Sequence, residues 1–234
     1  LEALEREDLS RVKLLWLNYP HMPTGTPAQA AVFQQLIAFA RRHQILLVND
    51  NPYSFILNDQ PLSILSQEGA MEVAIELNSM SKSFNMAGWR IGSLCGRADY
   101  LDTVLKFKSN MDSGMFKPAQ LAAVQALQLE GDWFEQLNAV YQARKMKAVG
   151  LLRSIGCTVA DGQVGMFVWA KVPQQYKDGY AFSDEWLYET HVFLTPGGIF
   201  GTQGDAYVRL SLCSSEAVLE EAQRRIGAHQ KVLD

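Results

Sequence analysis

The chain has 234 residues, of which 48% are hydrophobic and 20% are charged, and its formal net charge is -4. This length and apolar content predict one large or two smaller packed domains and argue against a disordered chain. The slightly acidic balance gives no electrostatic basis for binding nucleic acid or an anionic membrane, and no apolar run is long enough for a membrane span. We therefore expect neither a nucleic-acid nor a membrane partner.

Cysteine and histidine spacing gives no sign of cross-links or metal sites. The three cysteines, Cys95, Cys157 and Cys213, show no paired spacing, and the four histidines form no metal-ligand pattern. Isolated thiols of this kind are typical of buried, reduced cysteines in a cytoplasmic protein. The sequence therefore predicts a cytoplasmic location and no metal.

The first part of the chain alternates between short apolar runs and an amphipathic helix. Four apolar runs predict strands: 12–17, 45–48, 73–77 and 91–95. Between the first two, Val32, Leu36 and Phe39 recur at helical spacing, and Thr26 is the predicted N-cap, with Gln29 completing a capping box. This order predicts a βαβ arrangement with a mostly parallel sheet.

From residue 98 the pattern becomes helical, and after Gly156 it changes again. Asp132 is predicted to cap a long amphipathic helix that runs to about Ile155. Short strands and helices follow it: strands 157–160, 166–171, 193–194 and 206–212, and helices 183–190 and 216–229. We therefore predict an α/β chain with two domains, residues 1–135 around the mostly parallel sheet and residues 136–234 as a smaller α+β domain.

Three predicted strands end in polar residues, namely Asn18, Asp50 and Ser79. Ligands of parallel sheets bind outside the carboxyl ends of the strands, so these residues mark a candidate site at one edge. Each also has an ordinary structural explanation. Asp50 could form an Asx turn, and Tyr53, which follows it, could be a packed core tyrosine.

Lys82 lies between small hydroxyl residues and an arginine. Ser79 and Ser81 precede it, and Arg90 follows eight positions later. A nearby cation or burial lowers the pKa of a lysine and makes its amine a nucleophile, while arginine and hydroxyl groups bind phosphate oxygens. The pattern indicates an amine nucleophile beside an anion site, although a lone lysine after a strand is more often a solvated surface residue.

Residues 79–92 match, without departure, the pattern Ser-x-Ser-Lys-x-x-x-x-x-Gly-x-Arg-x-Gly. It resembles the lysine motif of the class I/II aminotransferases, pyridoxal-phosphate-dependent enzymes of fold type I that include aspartate aminotransferase. The resemblance implies that pyridoxal 5'-phosphate forms a Schiff base with Lys82, whose amine then moves a proton as general base and acid. It also implies that Ser79, Ser81 and Arg90 anchor the phosphate.

Two further segments resemble the same family. Asp50-Asn-Pro-Tyr53 is similar to its Asp-x-x-Tyr segment, which implies that Asp50 keeps the ring nitrogen of the cofactor protonated and that Tyr53 reaches its phenolic oxygen. Residues 19–25 resemble its Asn-Pro-Thr-Gly element, but Met22 stands where the family usually has asparagine. A thioether cannot donate a hydrogen bond, so Met22 is not predicted as a polar ligand.

An arginine inside an apolar strand marks the third part of the candidate site. Arg209 alternates with Val208 and Leu210, so it points to the opposite face, and a buried guanidinium needs an anionic partner. A salt bridge to a carboxylate of the same domain would also explain it. Residues 195–211 are similar to the family's Pro-Gly-x-x-Phe-Gly…Arg-x-Ser element, which implies that Arg209 binds the α-carboxylate of the substrate.

The matched elements follow the family's order from residue 18 to residue 211. They imply a partial pyridoxal-phosphate-binding large domain and a small C-terminal domain of an aminotransferase that moves an amino group between an amino acid and a 2-oxo acid. A homodimer is expected at full length. The family's phosphate-cradling loop lies farther upstream than this chain extends, so we expect a fragment with a weak or empty cofactor site. A carbon–sulfur β-lyase on the same fold and a non-catalytic sensor domain remain open alternatives.

Overall fold

A computed structural model describes residues 1–233 of the chain, and the side chains of residues 1–230. The chain forms two compact units, residues 1–20 with 27–134 and residues 21–26 with 135–234. The loop 21–26 belongs to the second unit because it pairs there: the backbone N–H of Val164 donates to the carbonyl of Gly25 over 2.8 Å. The domain division at residue 135 remains a prediction.

The first unit is built on a four-stranded sheet in the order β1-β2-β3-β4. The strands are β1 (Leu14–Asn18), β2 (Leu46–Asn51), β3 (Ala74–Ser79) and β4 (Gly92–Gly96). The first three pair in parallel, as predicted, and β4 is antiparallel to β3. The chain folds back between β3 and β4, where the N–H of Met80 donates to the carbonyl of Ile91 over 3.2 Å. The mostly parallel sheet is therefore confirmed, with an antiparallel edge.

Helix α1 (Ala30–His43) packs on one face of this sheet. Phe33 and Leu36 from the helix meet Leu47 and Ala74 from the strands in one buried cluster. Successive strand residues point to opposite faces, so Asp50, an odd number of positions from Leu47, projects to the face away from α1. This core leaves the candidate carboxylate outside the helix-covered side.

Two predicted helix caps are wrong. The N-cap of α1 is Gln29 and not Thr26, and Gln29 makes no side-chain capping bond. Thr26 instead stabilises the preceding loop: its carbonyl accepts from the N–H of His21, and its hydroxyl bonds that of Thr24, both over 2.8 Å. Asp132 lies in the first turn of its helix and not before it, a position where a carboxylate is still favourable.

Four helices complete the first unit, and α6 begins within it. They are α2 (Ala70–Val73), α3 (Met80–Ser83), α4 (Ala98–Met111) and α5 (Lys117–Ala126), and they precede α6 (Gly131–Ser154). The unit ends at residue 134, four residues into α6. Since β3 leads directly into α3, the lysine motif begins at the carboxyl end of a central strand.

The second unit contains an antiparallel sheet in the order β5-β6-β8-β7. Its strands are β5 (Thr158–Val159), β6 (Phe167–Lys171), β7 (Thr195–Pro196) and β8 (Tyr207–Ser211), and its helices after α6 are α7 (Gly179–Thr190) and α8 (Glu216–Leu233). Helix α7 begins four residues before its predicted start, because Asp178 caps it by accepting from the N–H of Ala181 over 2.9 Å. Buried Val168, Val208 and Leu212 form part of the apolar side of this sheet.

The three cysteines are free thiols, but only Cys157 is buried. The expectation that all three are buried is wrong for Cys95, which lies on the edge strand β4, and for Cys213, which lies two residues after the end of β8. Within residues 1–230 no group of three or more His, Cys, Asp or Glu side chains is arranged to hold a metal ion. No helix that the structure describes is long and apolar enough to cross a bilayer.

Candidate active site

The ends of β1, β2 and β3 lie side by side at one edge of the first sheet. Asn18 is the ladder partner of Asp50, and Asp50 is the ladder partner of Leu77. Ser79 lies two positions after Leu77 and therefore projects from the same face. The side-chain amide of Asn18 donates to the main-chain carbonyl of Asp50 over 2.7 Å. The three strand ends that the sequence singled out therefore meet, as the parallel order predicts.

The carboxyl group of Asp50 is half-buried, and this burial raises its pKa. Burial disfavours the charged carboxylate, so a cation bound beside it would lower the pKa again. The turn after β2 is stabilised by a different side chain, since Oδ1 of Asn51 accepts from the hydroxyl of Ser54 over 2.7 Å. Asp50 is thus in a position suited to pair with a cationic group of a ligand.

Tyr53 follows at the same strand end and is buried, with a relative exposure of 9%. Its carbonyl accepts from the N–H of Ile56 over 3.1 Å, so the backbone turns tightly at this point. Burial agrees with the simpler explanation of a packed tyrosine. The role of its hydroxyl at a cofactor stays a prediction.

The lysine motif folds into the single turn α3. Ser79 is its N-cap, and the Ser79 hydroxyl accepts from the N–H of Ser81 over 3.1 Å. Met80 and Ser83 are buried, whereas Ser81 and Lys82 are half-buried. The turn therefore packs one side against the unit and leaves the lysine on the other side.

Trp133 holds the end of this turn in place. Its indole N–H donates to the carbonyl of Ser83 over 2.8 Å. The ring of Phe134, the next residue, meets the rings of Phe84 at 5.7 Å and Phe55 at 5.2 Å between centroids. The start of α6 therefore braces the segment that carries Lys82.

Arg90 comes close to the serines through the pairing of β3 with β4. Gly92, two residues after Arg90, is the ladder partner of Ser79. Only glycine fits at Gly92, because a Cβ atom would lie 2.6 Å from the carbonyl oxygen of Asn78. Arg90 itself is exposed, and one of its guanidinium N–H groups donates to the carbonyl of Ala87 over 2.9 Å. The hydroxyls of Ser79 and Ser81 and the amine of Lys82 therefore lie on a segment next to the one that carries the Arg90 guanidinium.

Arg209 belongs to the second unit and lies between buried Val208 and Leu210 in β8. Its guanidinium carbon is 4.1 Å from the ring centroid of Phe167 and 4.6 Å from that of Phe200. These distances are typical of cation–π contacts. The half-buried guanidinium is thus packed against two aromatic rings.

Met22 also contacts this arginine, which the sequence did not predict. The Nη1 group of Arg209 donates to the thioether sulfur of Met22 over 3.0 Å. The two residues are 187 positions apart, and no spacing rule connects them. The departure from the asparagine pattern at position 22 was the one available signal, and it marked the position without revealing its contact.

Beside Arg209 the second unit contains a cavity of about 570 Å³. Its apolar walls include Leu194, Leu210 and Leu219, and Arg209 and Ser211 also line it. A cavity of this size falls within the range that small-molecule ligands occupy.

A second lysine in a low-polarity environment was not singled out by the sequence. Lys145 on α6 is half-buried, its pKa is lowered by this burial, and its ammonium donates to the carbonyl of Gln163. Lys145 and Gln163 both lie in the second unit, which contains α6 from residue 135 onward. The hydrogen bond gives Lys145 a structural explanation.

The residues at the sheet edge fit the chemical groups of pyridoxal phosphate. Hydroxyls of Ser79 and Ser81 and the guanidinium of Arg90 are donors for phosphate oxygens, and Lys82 supplies an amine for an aldehyde. The half-buried carboxyl of Asp50 suits a protonated ring nitrogen, since burial penalises its charge unless a cation is bound. The donor set therefore matches the group implied by the motif.

Comparisons with known proteins identify the family to which the chain is similar. A family model described as aminotransferase class I and II matches residues 1–226. The chain is 40% identical over 233 residues to an LL-diaminopimelate aminotransferase of Dehalococcoides mccartyi, covering 99% of this chain and 60% of the relative. It thus spans about three fifths of the length of the curated relatives it matches.

Solved structures give the same result. The chain is similar to substrate-bound BacF from Bacillus subtilis, with a TM-score of 0.87 and 38% identity over 95% of this chain and 58% of that one. It is also similar to a probable N-succinyldiaminopimelate aminotransferase from Thermus thermophilus, with a TM-score of 0.88 and 30% identity over 98% of this chain and 62% of that one.

Proposed function

Because the chain belongs to the class I and II aminotransferase family, we propose that its protein is a pyridoxal-phosphate-dependent aminotransferase. It would move an amino group between an amino acid and a 2-oxo acid. The observation that carries this proposal is the edge of the first sheet, where Asp50 lies near the carboxyl end of β2 and the Lys82 turn follows β3 directly. The family depends on pyridoxal 5'-phosphate, and the residues at this edge match its groups.

Lys82 is the proposed catalytic residue. When bound, pyridoxal phosphate supplies an aldehyde that bonds an amine and a ring that withdraws electrons from the substrate Cα. The Lys82 amine would hold the cofactor until substrate arrives, and it would then take up the proton of the substrate Cα as general base and release it as general acid. Its half-buried place on α3 keeps it at the surface of the turn and out of the core.

The residues around Lys82 bind and orient the cofactor. Ser79, Ser81 and Arg90 donate hydrogen bonds to the phosphate oxygens. The Asp50 carboxylate accepts a hydrogen bond from the ring nitrogen and keeps a proton on that atom, and the Tyr53 hydroxyl donates to the phenolic oxygen.

Arg209 orients the substrate by binding its α-carboxylate with two parallel N–H donors. The rings of Phe167 and Phe200 keep the guanidinium out of bulk water, where an ion pair would be weaker. LL-diaminopimelate is the first amino donor to test, since several matched relatives carry that name. We further propose that the protein is a cytoplasmic homodimer.

The decisive experiment is a half-reaction panel with the protein and pyridoxal phosphate. Each amino acid, starting with LL-diaminopimelate, is added in turn to the protein with bound cofactor. The absorbance spectrum of the cofactor and the products are then recorded. We expect one donor to convert the cofactor to its amine form with release of the matching 2-oxo acid. Release of ammonia with pyruvate would instead identify a carbon–sulfur lyase, and no spectral change with any donor would contradict catalysis.

A further inference from the structure

The guanidinium of Arg209 is held from more than one side within the second unit. Phe167 on β6 and Phe200 in the glycine-rich segment after β7 both lie within 5 Å of the guanidinium carbon, measured to the ring centroids. Ring contacts act on the face of a guanidinium, while hydrogen bonds act in its plane. The Met22 sulfur, 3.0 Å from Nη1, supplies the contact at a nitrogen.

Met22 is itself held firmly by the loop that carries it. The N–H of Gly25 donates to the carbonyl of His21 over 2.8 Å, and the N–H of Val164 donates to the carbonyl of Gly25 over 2.8 Å. Gly25 has a φ of +70°, and a Cβ atom there would lie 2.9 Å from the carbonyl oxygen of Val164. The imidazole of His21 also bonds the hydroxyl of Thr24 over 2.8 Å. The Met22 sulfur therefore lies on a loop whose conformation is fixed by hydrogen bonds.

We propose that Met22 is a positioning residue for Arg209, and this rests on the function proposed for Arg209 above. A thioether sulfur is a weak acceptor, so it can orient one N–H of the guanidinium without neutralising its charge. An acidic side chain at this place would compete with the substrate for the same cation. Met22 holds the guanidinium in one orientation and places no negative charge of its own beside it.

The variant Met22→Leu separates this role from simple packing. Leucine keeps an apolar side chain of similar volume, so the loop should fold with little loss of stability, but it lacks the sulfur. The affinity for a 2-oxo acid should fall about threefold to tenfold, the range set by the entropy of immobilising one long side chain. The KM for the 2-oxo acid should rise by this factor while kcat stays within about twofold, since the contact acts on binding.

Two controls show that the effect passes through the arginine. In an Arg209→Lys background, Met22→Leu should change the affinity by less than about 1.5-fold, because the guanidinium it orients is gone. An amino alcohol, which lacks the carboxylate, should bind the Met22→Leu protein and the unchanged protein equally well. Met146→Leu replaces an exposed methionine on α6 and should have no effect in either assay.

The experiment is a set of isothermal titrations of the 2-oxo acid into four proteins: the unchanged protein, Met22→Leu, Arg209→Lys and the double variant. A melting curve is recorded for each. Phe167→Leu removes one of the two rings that contact the guanidinium, so it should also lower the affinity for the 2-oxo acid. This second variant keeps the test valid if Met22→Leu folds poorly. Unchanged affinity in Met22→Leu, or an equal loss in both backgrounds, would overturn the positioning role. Unchanged affinity in Arg209→Lys alone would instead overturn the function proposed for Arg209.

Discussion

The side-chain amide of Asn18 and the main-chain carbonyl of Asp50 are hydrogen-bonded over 2.7 Å, and the two residues are ladder partners at the carboxyl ends of β1 and β2. This bond ties together the two strands whose ends form one side of the candidate site. It also constrains the backbone of the residue proposed to bind the ring nitrogen of the cofactor. The geometry of Asp50 therefore depends on a neighbouring strand as well as on its own.

Replacing Asn18 with aspartate should destabilise the first unit. The change swaps the N–H donor for an oxygen that repels the Asp50 carbonyl, and losing a partly buried hydrogen bond in this way costs about 1–3 kcal/mol. Each kcal/mol lowers the melting temperature of a chain of this size by roughly 2–4 °C. Calorimetry should show this shift. Asn110→Asp, which alters an exposed amide bonded to the carbonyl of Lys106 on α4, should stay within about 0.5 kcal/mol. Equal shifts for both variants would contradict the account.

Asp50→Asn should weaken cofactor binding while favouring the cofactor-free fold at neutral pH. Burial raises the pKa of Asp50 in the folded state, so the folded chain binds this proton more readily than the unfolded chain does. Ionisation of Asp50 with rising pH therefore destabilises the fold, and the destabilisation is absent below the ordinary carboxyl pKa. The gain in melting temperature from asparagine should accordingly appear at pH 7 and vanish at low pH.

For the same variant, loss of the charged partner of the ring nitrogen removes about 1.5–3 kcal/mol, so affinity for pyridoxal phosphate should fall roughly tenfold to a hundredfold. Equilibrium titration of the cofactor measures this. Asp59→Asn, at an exposed position, serves as the control. A variant that keeps full cofactor affinity would rule out the proposed pairing of Asp50.

Two glycines of the lysine motif should respond differently to alanine. A Cβ atom at Gly92 would lie 2.6 Å from the backbone oxygen of Asn78, so Gly92→Ala must push β4 away from β3. Overpacking of this kind costs about 1–3 kcal/mol. A Cβ atom at Gly88 would meet nothing within 4 Å beyond its chain neighbours in the described part of the chain, so Gly88→Ala should leave the melting temperature nearly unchanged. Thermal melts of the two variants side by side test this, and a reversed order would contradict the close approach of β4 to β3 at Gly92.

Arg209→Lys should impair substrate binding far more than folding. Lysine keeps the positive charge but lacks the planar fork that meets a carboxylate with two bonds. Loss of a charge-assisted bond of about 1.5–3 kcal/mol predicts a rise in KM for the 2-oxo acid of roughly tenfold to a hundredfold. Arg224→Lys, which affects an exposed arginine paired with Glu221, is the matched control. Steady-state kinetics that show equal KM values for both variants would remove Arg209 from the site.

The sequence was most informative where one interaction decides the structure. Apolar runs predicted the four strands of the first sheet, and the polar residues at their ends predicted the edge that holds Asp50 and Ser79. Residues 79–92 identified the lysine motif because its serines, lysine, glycines and arginine follow a specific spacing. Local hydrophobic patterning and local turns carry this information, so it can be read without the fold.

Features that depend on which contacts form in the folded chain could not be read in this way. Thr26 is a residue type that is common at helix N-caps, but here it bonds His21 and Thr24 and belongs to the preceding loop. The contact between Met22 and Arg209 requires the loop 21–26 to pair with Val164 in the second unit. No local sequence pattern specifies these contacts, and only the folded chain shows that they form.

The attachment point of the cofactor provides the most direct test of the central claim. The protein is incubated with pyridoxal phosphate, reduced with borohydride and digested, and the peptides are mapped by mass spectrometry. We predict the pyridoxyl phosphate mass on Lys82, and its loss from that peptide in a Lys82→Arg variant. A stable adduct on another lysine, such as half-buried Lys145, with Lys82 unmodified would contradict the account.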